Sequence, residues 1–190
     1  MKFNFTIGKK IGLGFGLLLF FTITIFLITK GTLDSSRKIN EHNTAVLSPS
    51  VDELQELKIQ ILKSKMLITN WANVQSSDDN PEKENLRRIL QQQHPQLKAD
   101  ILKLAENWEI DEKQLGDTIF DEIAELFSMY DIVMNQLVSF ESYDDPEIMF
   151  PINFIVEEGG DIDEQSEEVI TLLDRLIKMQ RENSTKGSFE

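Results

Sequence analysis

The chain contains no cysteine, which excludes disulfide bonds, thiol nucleophiles and zinc sites built on cysteine. Histidine is nearly absent as well, since His42 and His94 are the only two. Neither has a nucleophile or a group of metal ligands at usable spacing, and we interpret both as solvated or packed side chains. The sequence therefore predicts no enzyme activity, no catalytic residue, no bound metal and no cofactor.

Proline and glycine are scarce, with five and nine residues, and most of the glycines lie in or near an apolar run at the N-terminus. Outside that run, no stretch alternates β-branched or aromatic residues with polar ones, as a half-buried strand would. An all-α fold is therefore predicted.

Basic residues are few: 19 lysines and arginines stand against 33 aspartates and glutamates, for a net charge of −14. Four of the lysines lie within the first 30 residues, which leaves 15 basic against 33 acidic residues in the rest of the chain. A surface this acidic repels a phosphate backbone, so nucleic acid is excluded as a partner.

Residues 11–29 form the one long apolar run, nineteen residues without a charge. A helix of that length spans about 28 Å, close to the hydrocarbon thickness of a bilayer. A cleaved signal peptide would have a shorter apolar core followed by small residues, and a buried soluble helix would carry charge on some face. The run is therefore predicted to be an uncleaved transmembrane helix.

Charge predicts the orientation of this helix. Lys2, Lys9 and Lys10 precede the run, so the positive-inside rule places residues 1–10 in the cytoplasm and residues 30–190 outside the inner membrane. Gly8, Gly12 and Gly16 share one helix face, which is compatible either with a dimer seam or with the ordinary abundance of glycine in membrane helices.

Four amphipathic helices are predicted beyond the membrane. The first continues from the membrane helix past Pro49 to about Val74, and the second begins at an Asn80 cap with Pro81 in its first turn and is kinked or broken at Pro95. Their expected inner faces are Leu54, Leu57, Ile61, Ser64, Ile68 and Trp71 in the first helix, and Leu86, Leu90, Leu97, Ile101, Leu104 and Trp108 in the second.

The third helix is predicted to start at a capping box of Asp111 and Gln114 and to run to about Ser142. Residues 143–164 are predicted to be irregular and to fold over the end of the molecule far from the membrane, and the fourth helix to begin between residues 163 and 166. The expected inner faces are Leu115, Ile119, Ile123, Leu126, Phe127, Tyr130, Val133, Leu137 and Phe140 in the third helix, and Val169, Leu172, Leu173, Leu176, Ile177 and Met179 in the fourth.

Short connections between four such helices predict an up-down-up-down four-helix bundle, continuous with the membrane helix. The first outer helix would be about 65 Å long and the fourth only about 37 Å. We therefore expect the sequence to be truncated before a second membrane crossing.

Several segments together resemble the four-helix-bundle sensor domain of methyl-accepting chemotaxis receptors and membrane histidine kinases. These segments are IGKKIGLGFGLLL, KSKMLITNW, SSDDNPEKENLRRI, HPQLKADILKLAENW, LVSFESYDDPEIMF and LLDRLIKMQRE. The resemblance implies a homodimer whose last helix passes a small displacement across the membrane to an output domain. The chain departs from this pattern because it has no second membrane helix, relay or output. The alternative is a single-pass anchored bundle that binds another envelope protein through residues 148–156.

Arginines are the candidate ligand-binding residues, because a guanidinium suits a carboxylate or phosphate of a small-molecule ligand in a groove between helices. Arg87, Arg88 and Arg175 are the candidates, although the acidic background of 33 carboxylates favours a surface ion pair for each of them. Trp71 and Trp108 are interpreted as core or groove anchors. The acidic run at residues 161–165 is interpreted as a helix start rather than a calcium loop, because Ser166 stands where glycine is required.

Overall fold

The structure is a computed structural model that describes residues 7–186, with the side chains at 9, 10, 39, 42, 43 and 184–186 left out. Residues 1–6, most of the predicted cytoplasmic segment, lie outside the described range. The described chain is all-α, as predicted, and its helices form six continuous segments, because two π-helical turns join α1 to α2 and α3 to α4. The helices are α1 (Ile7–His42), α2 (Ser48–Asn73), α3 (Pro81–Arg88), α4 (His94–Ala105), α5 (Ile110–Gln136), α6 (Phe140–Asp144), α7 (Pro146–Val156) and α8 (Asp161–Lys186).

Helix α1 contains the apolar run. Within the described residues, Ile11–Lys38 is the one stretch long and apolar enough to cross a membrane, and none of its most apolar window is buried by the rest of the chain. The hydroxyls of Thr22 and Thr24 donate to the carbonyl oxygens of Leu18 and Phe20, each at 2.9 Å. These two hydroxyls are therefore satisfied within the helix, as a lipid environment requires.

The first π turn, Asn43–Leu47, joins α1 to α2, so one helical path leads from the apolar run to Asn73. The second, Ile89–Gln93, joins α3 to α4. Each π turn ends two residues before a proline: the first ends at Leu47, before Pro49, and the second at Gln93, before Pro95. A proline ring in a regular helix clashes with the carbonyl four residues earlier. The extra residue of a π turn moves that carbonyl away, so the helix continues.

The predicted kink or break at Pro95 is therefore a widened, uninterrupted turn, in which the His94 N–H donates to the Ile89 carbonyl. The extra residue rotates the buried stripe. Ile89 and His94 are buried, whereas Leu90 of the predicted inner face is only partly buried.

The core lies between α2, the α3–α4 segment, α5 and α8, and every predicted inner-face residue of α2 is buried. Helix α2 packs against α8 and α4, and α8 packs against α5. At one end Trp108 Nε1 donates to Ser50 Oγ at 2.8 Å. At the other end Trp71 Nε1 donates to the Leu137 carbonyl at 3.2 Å.

The start and end of α5 differ from the prediction. The capping box consists of Glu109 and Glu112, not Asp111 and Gln114, because the helix already begins at Ile110. It ends at Gln136, and a turn separates it from α6. Because of this turn, Phe140 no longer follows the helical spacing of α5. It was predicted to be internal but is exposed.

Residues 143–164 are mostly helical, not irregular, since they contain the end of α6, all of α7 and the start of α8, with a turn at residues 157–160. Helix α7 places Ile152 and Val156 in the core, where it contacts α2, α5 and α8. Gly159 adopts a positive φ of 77° in the turn that follows. Helix α8 then starts at Asp161, two residues earlier than predicted, with three acidic residues in its first turn, as a helix start favours.

Candidate functional site

Trp71 is the centre of a cluster at the end of α2, and this cluster contains one of the predicted ligand-binding arginines. Its indole N–H is bonded to the Leu137 carbonyl at the end of α5, and its own carbonyl accepts a hydrogen bond of 2.7 Å from the Tyr143 hydroxyl of α6. Two further helices thus fix the end of α2. Trp71 is only 3% exposed, which confirms it as a core anchor.

Two cations from α3 lie over this ring. The ammonium of Lys83 is 4.8 Å from the centroid of the Trp71 ring and 5.3 Å from that of Tyr143, and it donates to the Ser76 carbonyl at 2.9 Å. The guanidinium carbon of Arg87 is 4.9 Å from the Trp71 centroid. Lys83 and Arg87 are one turn apart, because the Asn80 cap and Pro81 start α3 as predicted, with Asn80 Oδ1 accepting from the Glu82 N–H at 2.8 Å.

Lys83 is only 2% exposed and pairs with no carboxylate among the described residues. Burial lowers its pKa; the Asp78 charge raises it, and the Arg87 charge lowers it further. The contacts that stabilise its charged form are a carbonyl and two aromatic faces. Through these contacts Lys83 links α3 to α6 and to the turn that follows α2.

Arg87 is paired with Asp78. Its Nη2 forms an ion pair with the carboxylate, and its Nη1 donates to the Asp78 carbonyl at 3.1 Å. Arg88 donates to Asn85 Oδ1 at 2.8 Å on the same helix. An anionic ligand at Arg87 would have to displace Asp78.

Arg87 and Arg88 line a surface hollow of about 560 Å³. Its other lining residues are Pro81, Glu84, Asn85, Gln91 and Gln92. All come from the α3–α4 segment, so the hollow has one wall and is not the groove between helices that the prediction required. Arg175 lies elsewhere. Its sequence neighbour Asp174 pairs with Lys58 of α2 at 2.7 Å. Lys58 is 13 residues before Trp71, which corresponds to about 20 Å along α2.

At the opposite end, Trp108 lines a smaller groove of about 250 Å³ between α4 and α5, together with Leu102 and Phe120. A Cβ atom on Gly116 would lie 3.2 Å from the indole ring, so glycine allows α5 to approach it closely. Trp108 is thus both a core residue and part of a groove wall, as the sequence suggested.

A layer of buried polar side chains crosses the middle of the core. His94 Nδ1 lies 3.2 Å from Gln60 Oε1, and its ring packs edge-on against Phe127, with ring centroids 4.8 Å apart. Burial, and to a smaller extent the charge of Lys98, lowers the pKa of His94 to about 4. This histidine is therefore packed and neutral at pH 7, whereas the side chain of His42 lies outside the described part.

Tyr130 belongs to the same layer, with its hydroxyl 3.4 Å from Ser64 Oγ. Burial raises the pKa of Tyr130 to about 12, although hydrogen bonds to Ser64 and Ser166 act in the opposite direction. Within residues 7–186 no group of three or more histidine, aspartate or glutamate side chains is placed to hold a metal ion.

An exposed apolar surface lies beside the Trp71 cluster, and part of it falls within residues 148–156, the segment to which the alternative interpretation of the sequence assigns partner binding. We call this surface the tip patch; its members are Val138, Phe140, Phe150 and Phe154. The sequence indicates the segment 148–156 but neither its individual exposed residues nor Val138 and Phe140. Only the structure separates the buried Ile152 and Val156 from the exposed pair Phe150 and Phe154.

Comparison of the chain with protein families, with curated proteins and with solved structures finds no match in any of the three. The functional conclusion therefore rests on the residues and contacts described above.

Proposed function

We propose that the chain is the extracytoplasmic sensing part of a bacterial transmembrane signalling receptor, of the chemoreceptor or sensor-kinase type, and not an enzyme. The observation that carries this proposal is the helical path from α1 through the π turn into α2. A helix that is apolar at one end and part of a packed core at the other provides a mechanical link between a membrane and an outer domain.

The proposal includes an up-down-up-down bundle formed by α2, the α3–α4 segment, α5 and α8. Side-chain contacts support alternating directions: Ser50 near the start of α2 meets Trp108 after α4, and Trp71 near the end of α2 meets Leu137 after α5. Near its end α8 meets the start of α5, where Asn183 Nδ2 donates to Glu112 Oε1 at 2.8 Å. The proposal also retains a cytoplasmic N-terminus, a homodimer and a ligand contacted by Arg87, Arg88 or Arg175.

The coding sequence after Glu190 provides the first test. A receptor of this type requires a second uncharged run of about 20 residues there, followed by an output module. A stop codon at that point would contradict the receptor proposal and favour the anchored bundle described below.

A chimaera provides the functional test. Residues 1–190 would be joined to the second membrane helix and kinase-controlling module of a characterised chemoreceptor, and kinase activity would be measured in membranes. Ile152→Ala removes a buried contact of α7 with the core and should change kinase activity several-fold. Pro151→Ala, at the exposed neighbouring position, is the matched control. Equal activity of both variants, with normal insertion and folding, would contradict transmission.

The tip patch favours a second candidate function, a membrane-anchored bundle that binds another envelope protein without signalling. Its four large apolar side chains are each at least half exposed. Exposed apolar side chains grouped on adjacent helices, as here with the rings of Phe150 and Phe154 in contact, commonly mark protein interaction sites.

A further inference from the structure

The tip patch is built by two helices that touch each other. Val138 and Phe140 lie in the turn before α6 and at its start, and Phe150 and Phe154 lie on α7, which packs against α6. The rings of Phe150 and Phe154 meet edge-to-face with centroids 5.0 Å apart. They are 68% and 57% exposed, so they form one apolar surface on the outer side of α7.

In the stretch of sequence that carries the patch, all the aspartate, glutamate, lysine and arginine positions are acidic. Residues 114–174 contain seventeen aspartates and glutamates and not one lysine or arginine. Five exposed carboxylates lie in the segments that carry the patch or border it: Glu141, Asp144, Glu147, Glu157 and Glu158. None of these five forms an ion pair with a described residue, which leaves their charge uncompensated.

The basic side chains near these segments are already engaged. Lys65 of α2 pairs with Asp163, whose carboxylate also accepts a hydrogen bond from the Gly159 N–H in the turn after α7. Lys83 is buried under Trp71 and Tyr143, and Arg87 is paired with Asp78. Both belong to the Trp71 cluster rather than to the exposed side of α7.

We propose that the tip patch binds a cationic amphipathic segment of a partner protein. The apolar side of that segment would cover Phe150 and Phe154, and its lysines and arginines would face the surrounding carboxylates. The inference rests on the second candidate function and names the chemistry of the partner. It does not require the chain to signal.

Charge distinguishes this occupant from the others. A second copy docked through the same patch would bring two sets of unpaired carboxylates together, which is unfavourable. Anionic lipid headgroups and nucleic acids are repelled for the same reason. A basic, amphipathic helix is complementary in both polarity and charge, and helices of this kind bind apolar surfaces through residues three and four apart.

Fluorescence anisotropy with the full chain in nanodiscs of zwitterionic lipid provides the test, with empty nanodiscs as the baseline. The probe is a labelled peptide of about 18 residues with leucine on one helical face and lysine on the other. Two comparison peptides are a scrambled version of the same composition and a version with glutamate in place of lysine. We expect only the amphipathic lysine peptide to bind above the baseline, and more weakly as salt increases.

The double variant Phe150→Ser/Phe154→Ser should weaken peptide binding at least about tenfold, because exposed aromatic residues at a binding site contribute most of the affinity. The matched control, Ile59→Ser/Leu62→Ser, removes two exposed apolar residues of α2 and should change binding less than about twofold. Both changes are at exposed positions, so both variants should keep the helical circular dichroism of the parent chain.

A charge series completes the test. Replacing Asp144, Glu147 and Glu157 by their amides should weaken binding about fivefold at low salt, and the difference should vanish near 0.5 M salt. The control replaces the exposed Glu125, Glu167 and Glu168 in the same way. Equal effects of the two triple variants, binding of the glutamate peptide, or unchanged peptide binding by the phenylalanine double variant would each overturn the proposal. The chimaera experiment above gives its result independently of this one.

Discussion

The buried polar side chains between α2, α4 and α5 show how single residues set the properties of this core. His94 is 8% exposed and its closest polar partner is the neutral side chain of Gln60. A charged imidazolium there would be poorly compensated, since the charged side chain that acts on it is the cation Lys98. The neutral form is therefore favoured in the folded state.

This arrangement predicts an acid dependence of stability. The pKa of His94 falls from an ordinary value of 6.5 to about 4 on folding, so the unfolded chain binds a proton more readily than the folded chain. The stability contributed by the neutral ring is complete above pH 6.5, falls as the pH decreases, and is lost by about pH 4. The full loss is about 3 kcal/mol.

Urea unfolding of the full chain between pH 7.5 and 4 measures this effect. His94→Gln removes the titrating group and keeps a polar partner for Gln60, so the curve of the variant against pH should be flatter than that of the wild type. Parallel curves would show that His94 does not carry the dependence, because the carboxylates contribute equally to both proteins.

At the scale of elements, the turn between α7 and α8 contains two glycines, Gly159 and Gly160, and each position requires glycine for a different reason. A Cβ atom on Gly160 would lie 2.4 Å from the backbone carbonyl oxygen of Phe154, whereas one on Gly159 would meet nothing within 4 Å. Gly159 instead has a φ of 77°, which other residues adopt at a cost of about 1–2 kcal/mol.

We therefore predict that Gly160→Ala lowers the free energy of unfolding more than Gly159→Ala does. The expected losses are about 3 kcal/mol or more at Gly160, where backbone must move, and about 1 kcal/mol at Gly159. Thermal or urea unfolding of the two variants checks the order. Equal losses would show that the close approach of α7 to this turn is not required.

The same scale shows what the sequence could predict. The inner face of α2 and the Asn80 cap follow directly from apolar spacing and from one side-chain hydrogen bond, and both were correct. Most of the predicted inner face of the second helix is buried, including Leu86 and Leu97 on either side of Pro95. Between them the buried residues are Ile89 and His94 rather than Leu90, because the hydrophobic spacing does not reveal the extra residue of a π turn. Phe140 was assigned to the core because the end of α5 at Gln136 has no glycine or proline to mark it.

The candidate sites were predicted less completely for a related reason. The residue type makes Arg87 a candidate, but its pairing with Asp78 depends on how the turn after α2 folds back. The tip patch depends on which side of α7 faces the core, and a segment that is apolar on all sides does not reveal this.

At the scale of the whole molecule, charge and apolar surface are separated along the chain. Helix α1 exposes apolar side chains throughout its membrane-crossing window, and the rest of the chain contains nearly all the aspartates and glutamates. Helix α8 illustrates the consequence: Glu164 and Glu168 are four residues apart on its exposed surface, and neither has an ion-pair partner among the described side chains. Like charges at this spacing destabilise a helix by a few tenths of a kcal/mol, in addition to the repulsion from other acidic residues.

Glu168→Gln is therefore predicted to raise the melting temperature of the full chain by about 1–2 °C at low salt, because it removes one carboxylate from this repelling set. The gain should disappear near 1 M salt, where the screening length is about 3 Å. Asp174→Asn is the comparison, because Asp174 lies on the same helix but pairs with Lys58 at 2.7 Å. Its removal should leave the melting temperature unchanged or lower it. If both substitutions raised the melting temperature equally, the total charge of the molecule rather than the spacing of acids on α8 would set its stability.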